Sequence, residues 1–219
     1  MENWKTILGV FGASLVLVVL MAIGLSKLSG GSGAAKKAEV SELVEGARWE
    51  VTTPTASQSG GQATPRVTVV AFTDIQCPAC RAAEPIAVEL RSTPGVKFVH
   101  RHFPLTTIHK NAWKGARSLE AARLMGKGWE MMALMFAKQD AWKDLGNPDE
   151  AFVGYARELG LDEREFEDKY KSGQTDEWVG SDSALGNRLQ LSGTPTFFVD
   201  GGQVATSFVL DRVRELLKQ

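Results

Sequence analysis

The chain has 219 residues, of which 43% are hydrophobic, so it is long enough to bury one hydrophobic core. Its 25 basic and 26 acidic residues are interspersed and give a formal net charge of −1, which leaves no basic face for nucleic acid. With only two cysteines, the chain is not a small secreted scaffold held by several disulfides.

An uncharged apolar run from Ile7 to Leu25 is the first predicted element. As a helix its 19 residues would span about 28 Å, close to the thickness of the hydrocarbon core of a bilayer. A cleavable signal peptide is the alternative, but its apolar core is usually only about 7 to 15 residues long. The sequence therefore predicts a retained, single-pass transmembrane anchor within residues 1–28.

Residues 29–64 are rich in Gly, Ser and Thr and predict a linker that tethers a folded domain to the anchor. Within this linker, the segment from Val40 to Val51 is compatible with either a short helix or a short strand, and disorder throughout is the other option. Trp49 is the residue expected to dock on the folded domain, which is predicted to comprise residues 65–219.

The folded domain is predicted to begin with a strand, a helix and a second strand. Val67–Phe72 is a continuous β-branched and apolar run, typical of a central strand buried on both faces. From Ala79 to Leu90 small and apolar residues recur every three or four positions, which predicts a helix kinked by Pro85. The second strand is expected over Val96–His102.

Residues from about 104 to 174 have almost no strand character and predict a helical block. Its helices are expected near residues 112–124 and 129–139, after Pro148, and after Asp162 as N-cap. A further helix over about 176–189 precedes a hairpin of Thr196–Val199 and Gln203–Thr206, and a final helix spans 211–218.

Both cysteines lie in one motif, Cys77-Pro78-Ala79-Cys80, at the predicted junction of strand and helix. A thiol at a helix N-terminus has its anion stabilised by free backbone amides and the helix dipole, so Cys77 is the predicted nucleophile. Cys80, one turn further on, is the predicted resolving thiol. A static disulfide is the first alternative, although a bridge over two intervening residues constrains little chain.

A zinc site is the second alternative for the two cysteines. Such a site needs two more ligands, for which only His100, His102 and His109 are available. His100 and His102 alternate on one face of a predicted strand flanked by arginine, and we expect them to be half-exposed rather than catalytic. The sequence therefore predicts no metal site and no cofactor.

From about Val67 to its C-terminus, the chain resembles the DsbA-type thiol oxidases, a branch of the thioredoxin superfamily. Five segments in this order carry the resemblance: VVAFTDIQCPACRAAEP, HFPLTTIHKNAWKGARSLEAA, GWEMMALMFAKQDAW, YARELGLDEREFE and GSDSALGNRLQLSGTPTFFVDGG. The resemblance implies an α/β thioredoxin-like fold with an inserted helical domain. It also implies catalysis by Cys77 and Cys80, with Pro78 and Ala79 flanking them inside the motif.

The resemblance also implies a substrate-binding element at Thr194-Pro195. Pro195 is expected to be cis and to lie against the dithiol, so that the backbone of Thr194 pairs with an extended substrate segment. Without the resemblance, a trans proline at the first residue of a strand would be the interpretation. The chain departs from its relatives at Ala71, where many have a buried acidic residue, and this puts proton handling at Cys80 in doubt.

By resemblance, the expected activity is the introduction of disulfides into reduced exported polypeptides by a monomer. Reoxidation would come from a quinone-linked membrane partner of the DsbB or vitamin K epoxide reductase type. The catalytic domain is expected on the extracytoplasmic side of a bacterial cell membrane, an assignment that rests on the redox function because the flanking lysines do not decide the orientation. The alternatives are a disulfide reductase or isomerase with the same site, and a non-catalytic tethered chaperone or binding module.

Overall fold

A computed structural model describes residues 49–52 and 65–219 of the chain. The predicted anchor, Ile7–Leu25, and most of the predicted linker lie outside the described residues. Within the described ranges no helix combines the length and the apolar character that a membrane span requires.

One mixed sheet forms the centre of the fold. Its strands are β1 (Trp49–Thr52), β2 (Val67–Thr73), β3 (Val96–His102), β4 (Thr196–Val199) and β5 (Gly202–Val204). They lie in the order β1-β3-β2-β4-β5, with β2 and β3 parallel and the other neighbours antiparallel. Strand β2, which precedes the cysteine motif, therefore lies in the middle of the sheet, as its β-branched and apolar sequence predicts.

Most of the remaining described residues are helical. The helices are α1 (Pro78–Ser92), α2 (Ala112–Leu124), α3 (Gly128–Ala137), α4 (Gln139–Trp142), α5 (Asp149–Glu158), α6 (Glu163–Lys171), α7 (Gly173–Arg188) and α8 (Val209–Leu217). Helices α2 to α6 lie in the stretch predicted to be a helical block. The predicted cap of α6 is confirmed, because the Asp162 carboxylate accepts a hydrogen bond of 2.9 Å from the amide of Glu165.

Helices cover both faces of the sheet, and the alternation of side chains along β2 shows how. Val67, Val69 and Ala71 pack in one apolar cluster with residues of α1 and α8. Val70 and Phe72 point to the other face and pack in a second cluster that includes a residue of α7. Successive side chains of a strand point to opposite faces, so β2 is buried on both. The predicted α/β architecture is thereby confirmed.

The helical block has an apolar core of its own. Its largest fully buried side chains include Trp142 and Phe152, whose rings meet edge to face at 5.3 Å. The same cluster includes Ile75, Cys77 and Cys80 from the segment that follows β2. The two cysteines therefore lie where the sheet meets the helical block.

Two parts of the predicted layout need correction. Trp49–Thr52, inside the stretch predicted as a linker, forms β1 and pairs antiparallel with β3 from Trp49↔His100 to Thr52↔Lys97. A strand was one of the options for this segment, and the pairing makes these four residues part of the sheet. The second hairpin strand ends at Val204 instead of Thr206, because Thr206–Phe208 turns into a 3₁₀ helix that leads into α8.

Candidate active site

The motif Cys77-Pro78-Ala79-Cys80 lies at the start of α1. Cys77 is the N-cap residue in extended conformation, and Pro78 follows at the first helical position, where its missing amide costs nothing. The Cys77 side chain thus lies beside the free amides of the first turn. Both cysteines are free thiols and are buried, whereas Pro78 and Ala79 are exposed on the surface.

The environment of Cys77 favours its thiolate. A hydrogen bond from the Cys80 thiol is the largest cause, and together with the amides of Cys80 and Ala79 it outweighs burial and lowers the pKa of Cys77 from 9.0 to about 5. The Sγ of Cys77 also lies 3.6 Å from the carbonyl oxygen of Thr194. At neutral pH Cys77 is therefore the ionised, nucleophilic member of the pair.

Cys80 has the opposite character. Only 2% of the residue is exposed, and burial, followed by the hydrogen bond and the charge of Cys77, raises the pKa of its thiol above the ordinary value. Its Sγ accepts a hydrogen bond of 3.4 Å from the backbone amide of Asp74. The site therefore pairs a thiolate at Cys77 with a protonated thiol at Cys80.

The loop between β2 and α1 is held by Asp74, whose side chain is fully buried. One carboxylate oxygen accepts from the amide of Gln76 at 2.7 Å, and the other accepts from the amide of Leu105 at 2.9 Å and pairs with Nδ1 of His109 at 2.7 Å. The contacts tie the loop before Cys77 to the segment after β3.

Three amide side chains that the sequence did not single out support the same loop. Gln139 donates to the carbonyl oxygens of Ile75 at 2.9 Å and Cys77 at 3.2 Å. The Gln76 side chain donates to the carbonyl of Lys143 and accepts from the backbone amide of Asn111. The Asn111 side chain in turn donates to the carbonyl oxygens of Trp142 and Lys143. Their partners are 31 to 67 residues away in the chain, so no local pattern could have identified them.

Thr194 and Pro195 lie on the other side of the dithiol. The bond between them is cis, as the resemblance implies. Pro195 lines a small cleft together with Cys80, and the Thr194 carbonyl contacts the Cys77 sulfur. The structure thus brings together the four residues predicted for catalysis and substrate binding. The assignment of those roles remains a prediction.

The expectation that His100 and His102 are half-exposed is wrong. Their exposed fractions are 1% and 2%, because both lie on β3, which is covered by neighbouring strands and helices. Nε2 of His100 is 2.7 Å from the hydroxyl of Thr73, and Nε2 of His102 is 2.9 Å from the carboxylate of Glu120. In residues 49–52 and 65–219 no three potential ligands lie close enough to hold a metal ion.

Comparison with known proteins gives the same fold. A family model described as thioredoxin matches residues 53–219. The chain is 27% identical to a thioredoxin-like oxidoreductase from Silicibacter pomeroyi, with a TM-score of 0.57 over 70% of this chain and 87% of that one. The thiol-disulfide exchange protein alpha-DsbA2 of Wolbachia pipientis is 18% identical, with a TM-score of 0.68 over 85% of this chain and 98% of that one.

A third solved structure, oxidised BdbD from Bacillus subtilis, is 19% identical with a TM-score of 0.61, covering 78% of this chain and all of that one.

Curated relatives are longer proteins. Na(+)/H(+) antiporter NhaA 3 of Salinispora tropica is 38% identical over 136 residues, which are 62% of this chain and 20% of that protein. NhaA 1 of Mycolicibacterium gilvum is 33% identical over 62% of this chain and 22% of its own length. The chain spans about a fifth of the curated relatives that it matches.

Proposed function

This chain belongs to the thioredoxin family, and we propose that it is a thiol-disulfide oxidoreductase that introduces disulfide bonds into exported proteins. The observation that carries the proposal is the asymmetry of the dithiol. The pKa of Cys77 is lowered to about 5, whereas the pKa of Cys80 is raised. A couple whose reduced form is stabilised in this way is a strong oxidant, because reduction of its disulfide is favoured.

The proposed reaction starts from the oxidised form. A substrate thiolate attacks the sulfur of Cys77, the Cys77–Cys80 bond breaks, and Cys80 leaves as a thiolate that takes up a proton. A second substrate thiolate then attacks the substrate sulfur of the mixed disulfide and displaces Cys77, which leaves as its stable thiolate. The substrate gains one disulfide, and its two electrons remain on the reduced dithiol.

Substrate binding is assigned in this proposal to Thr194 and the cis Pro195. Their position against the dithiol would let an extended polypeptide pair with the Thr194 backbone, so that its thiol reaches Cys77. The substrates would be reduced exported polypeptides.

We further propose that Ile7–Leu25 anchors a monomer in a bacterial cell membrane, with the catalytic domain on the extracytoplasmic side. A quinone-linked membrane protein of the DsbB or vitamin K epoxide reductase type would regenerate its disulfide.

The reduction potential of the full chain, equilibrated in glutathione buffers, tests the proposal. A value near about −120 mV supports disulfide introduction, whereas a value near about −270 mV overturns it and indicates a reductase. Oxidative refolding of a reduced, disulfide-containing substrate adds a second readout. Cys77→Ser should abolish this activity, and an activity that survives the substitution would indicate a chaperone instead.

A further inference from the structure

The peptide unit between Thr73 and Asp74 contacts the dithiol directly. It lies just past the end of β2, where the ladder with β3 stops. Its carbonyl accepts a hydrogen bond of 2.8 Å from the amide of Phe103, and its N–H, which points the opposite way, donates to the Sγ of Cys80 at 3.4 Å. The carbonyl of Asp74 in turn accepts from the amide of Cys77 at 3.0 Å. The backbone of Asp74 therefore contacts both residues of the redox pair.

The N–H of Asp74 faces a sulfur on which negative charge develops. When a thiolate opens the Cys77–Cys80 disulfide, the electron pair of the S–S bond passes to the Cys80 sulfur. Cys80 is only 2% exposed, so water has little access to stabilise that charge. Burial is the largest cause that raises the pKa of the Cys80 thiol, and the Asp74 amide acts in the opposite direction. An N–H aimed at a departing anion is a preorganised donor of the kind that lowers a reaction barrier.

The side chain of Asp74 ties this donor to the connection between β3 and α2. The carboxylate is fully buried, and the oxygen that accepts from the amide of Leu105 at 2.9 Å also pairs with Nδ1 of His109 at 2.7 Å. Leu105 and His109 belong to one turn, because the His109 amide donates to the Leu105 carbonyl at 2.9 Å. Among the described residues, His109 supplies the one side-chain donor to the Asp74 carboxylate.

The hydrogen-bond pattern fixes the proton between His109 and Asp74. Each carboxylate oxygen accepts from a backbone amide, and an ionised carboxylate can only accept. Nδ1 of His109 must therefore carry the proton and donate it. A buried carboxylate that loses such a donor is destabilised and shifts toward water or other donors. Since the carboxylate and the N–H belong to the same residue, a shift of the side chain would move the N–H away from Cys80.

We propose that His109 is a positioning residue for the dithiol, which holds the Asp74 amide against the Cys80 sulfur and thereby assists the departure of Cys80. This inference rests on the proposed thiol-disulfide exchange. A thiolate forms a bond to the Cys77 sulfur, the Cys77–Cys80 bond breaks, and its electron pair moves to the Cys80 sulfur beside the Asp74 N–H. Cys80 then takes up a proton from water. The contact exists between the free thiols of the structure, so it also stabilises the reduced form.

Two substitutions in the full chain test the role of His109. His109→Leu removes the donor, whereas His109→Asn keeps an N–H two bonds beyond Cβ, where Nδ1 of histidine lies. Glutathione is added to the oxidised protein at pH 7, and formation of the mixed disulfide at Cys77 is followed by quenched flow and mass spectrometry. His109→Leu should react about 10-fold more slowly, a factor typical of one hydrogen bond to a charged group. His109→Asn should recover most of the rate.

The redox equilibrium with glutathione gives a second readout. The equilibrium constant for reduction should fall about 10-fold in His109→Leu, which corresponds to a reduction potential about 30 mV more negative, and should stay near the wild-type value in His109→Asn. Hydrogen exchange of the Asp74 amide, measured by NMR on the reduced protein, should be about 10-fold faster in His109→Leu than in the other two proteins.

Asp162→Ala separates positioning of the dithiol from a general loss of stability. This substitution removes the hydrogen bond from the Glu165 amide that caps α6. It should lower the free energy of unfolding and yet leave the rate of disulfide opening, the potential and the exchange of the Asp74 amide at their wild-type values.

The outcomes distinguish this inference from the proposed function. A His109→Leu protein with the wild-type rate and potential, or a His109→Asn protein as slow as His109→Leu, overturns the role of His109 and leaves thiol-disulfide exchange intact. A wild-type disulfide that glutathione does not open overturns the proposed function itself. If His109→Leu does not fold, NMR of the reduced wild-type protein decides, because an unprotonated Nδ1 of His109 or an unprotected Asp74 amide overturns the inference.

Discussion

The low pKa of Cys77 predicts a specific pH dependence of stability. In the reduced protein the thiol titrates near 5, whereas in the unfolded chain it titrates near 9.0. At pH 7 the folded protein therefore holds a thiolate where the unfolded chain holds a thiol. Because pH 7 lies two units above the folded pKa and still below the unfolded one, at 1.36 kcal/mol per unit the thiolate contributes about 3 kcal/mol at this pH. This is an upper value, because water near the sulfur screens its charge.

The lowered pKa of Cys77 determines whether stability rises or falls with pH. Because the folded pKa lies below the unfolded one, the contribution is fully present above pH 9 and is lost as the pH falls through 5. The oxidised protein has no thiol at this position and lacks the contribution. The reduced form should therefore gain stability relative to the oxidised form between pH 5 and pH 9. The raised pKa of Cys80 adds no slope up to about pH 8, where its thiol is protonated in both states, and it lowers the stability of the reduced form at higher pH, where the unfolded thiol ionises.

Urea denaturation of both redox forms at pH 5, 7 and 9 measures the effect. The difference in free energy of unfolding, reduced minus oxidised, should rise by about 2 to 3 kcal/mol from pH 5 to pH 7. Reduced Cys77→Ser protein should lack this rise, which attributes it to the one sulfur. A difference that is flat or falls with pH would refute the assignment of Cys77 as the stabilised thiolate.

The remaining predictions concern packing and positioning, and urea denaturation checks each. Gly115→Ala should cost about 1 to 3 kcal/mol, because the added methyl would lie 2.5 Å from the Ile75 side chain, whereas Gly154→Ala meets open space and should be neutral or stabilising. Asp162→Ala removes the cap of α6 and should cost about 1 kcal/mol. Gln139→Ala leaves two loop carbonyls without their donor and should cost about 1 to 3 kcal/mol and change the rate of thiol alkylation.

Local sequence patterns predicted much of the scaffold. The apolar run of Val67–Phe72 indicated the central strand, and the position of the motif after it placed Cys77 at a helix start. Asp162 was recognisable as a cap because it precedes a helix directly. These features depend on neighbours within a few residues, and a single sequence contains that information.

The surroundings of the dithiol could not be predicted in the same way. His100 and His102 look like residues of a half-exposed strand, but elements distant in the chain cover β3. Thr73 and Glu120, 27 and 18 residues away, pair with Nε2 of His100 and of His102. From the sequence alone, Glu84 is indistinguishable from the other charged residues of α1. Only the packing of α1 on β2 shows that it lines the same cleft as Cys80.

The position of β1 has a practical consequence for anyone who prepares a soluble fragment. A fragment that begins at residue 65 would lack Trp49–Thr52 and leave the outer edge of β3 without the backbone partners that β1 provides. An uncovered strand edge presents unpaired backbone groups and is a template for pairing with other chains, so such a fragment should aggregate. A fragment that begins before Trp49 keeps this edge covered, and a comparison of the two by size-exclusion chromatography would show how much solubility depends on four residues.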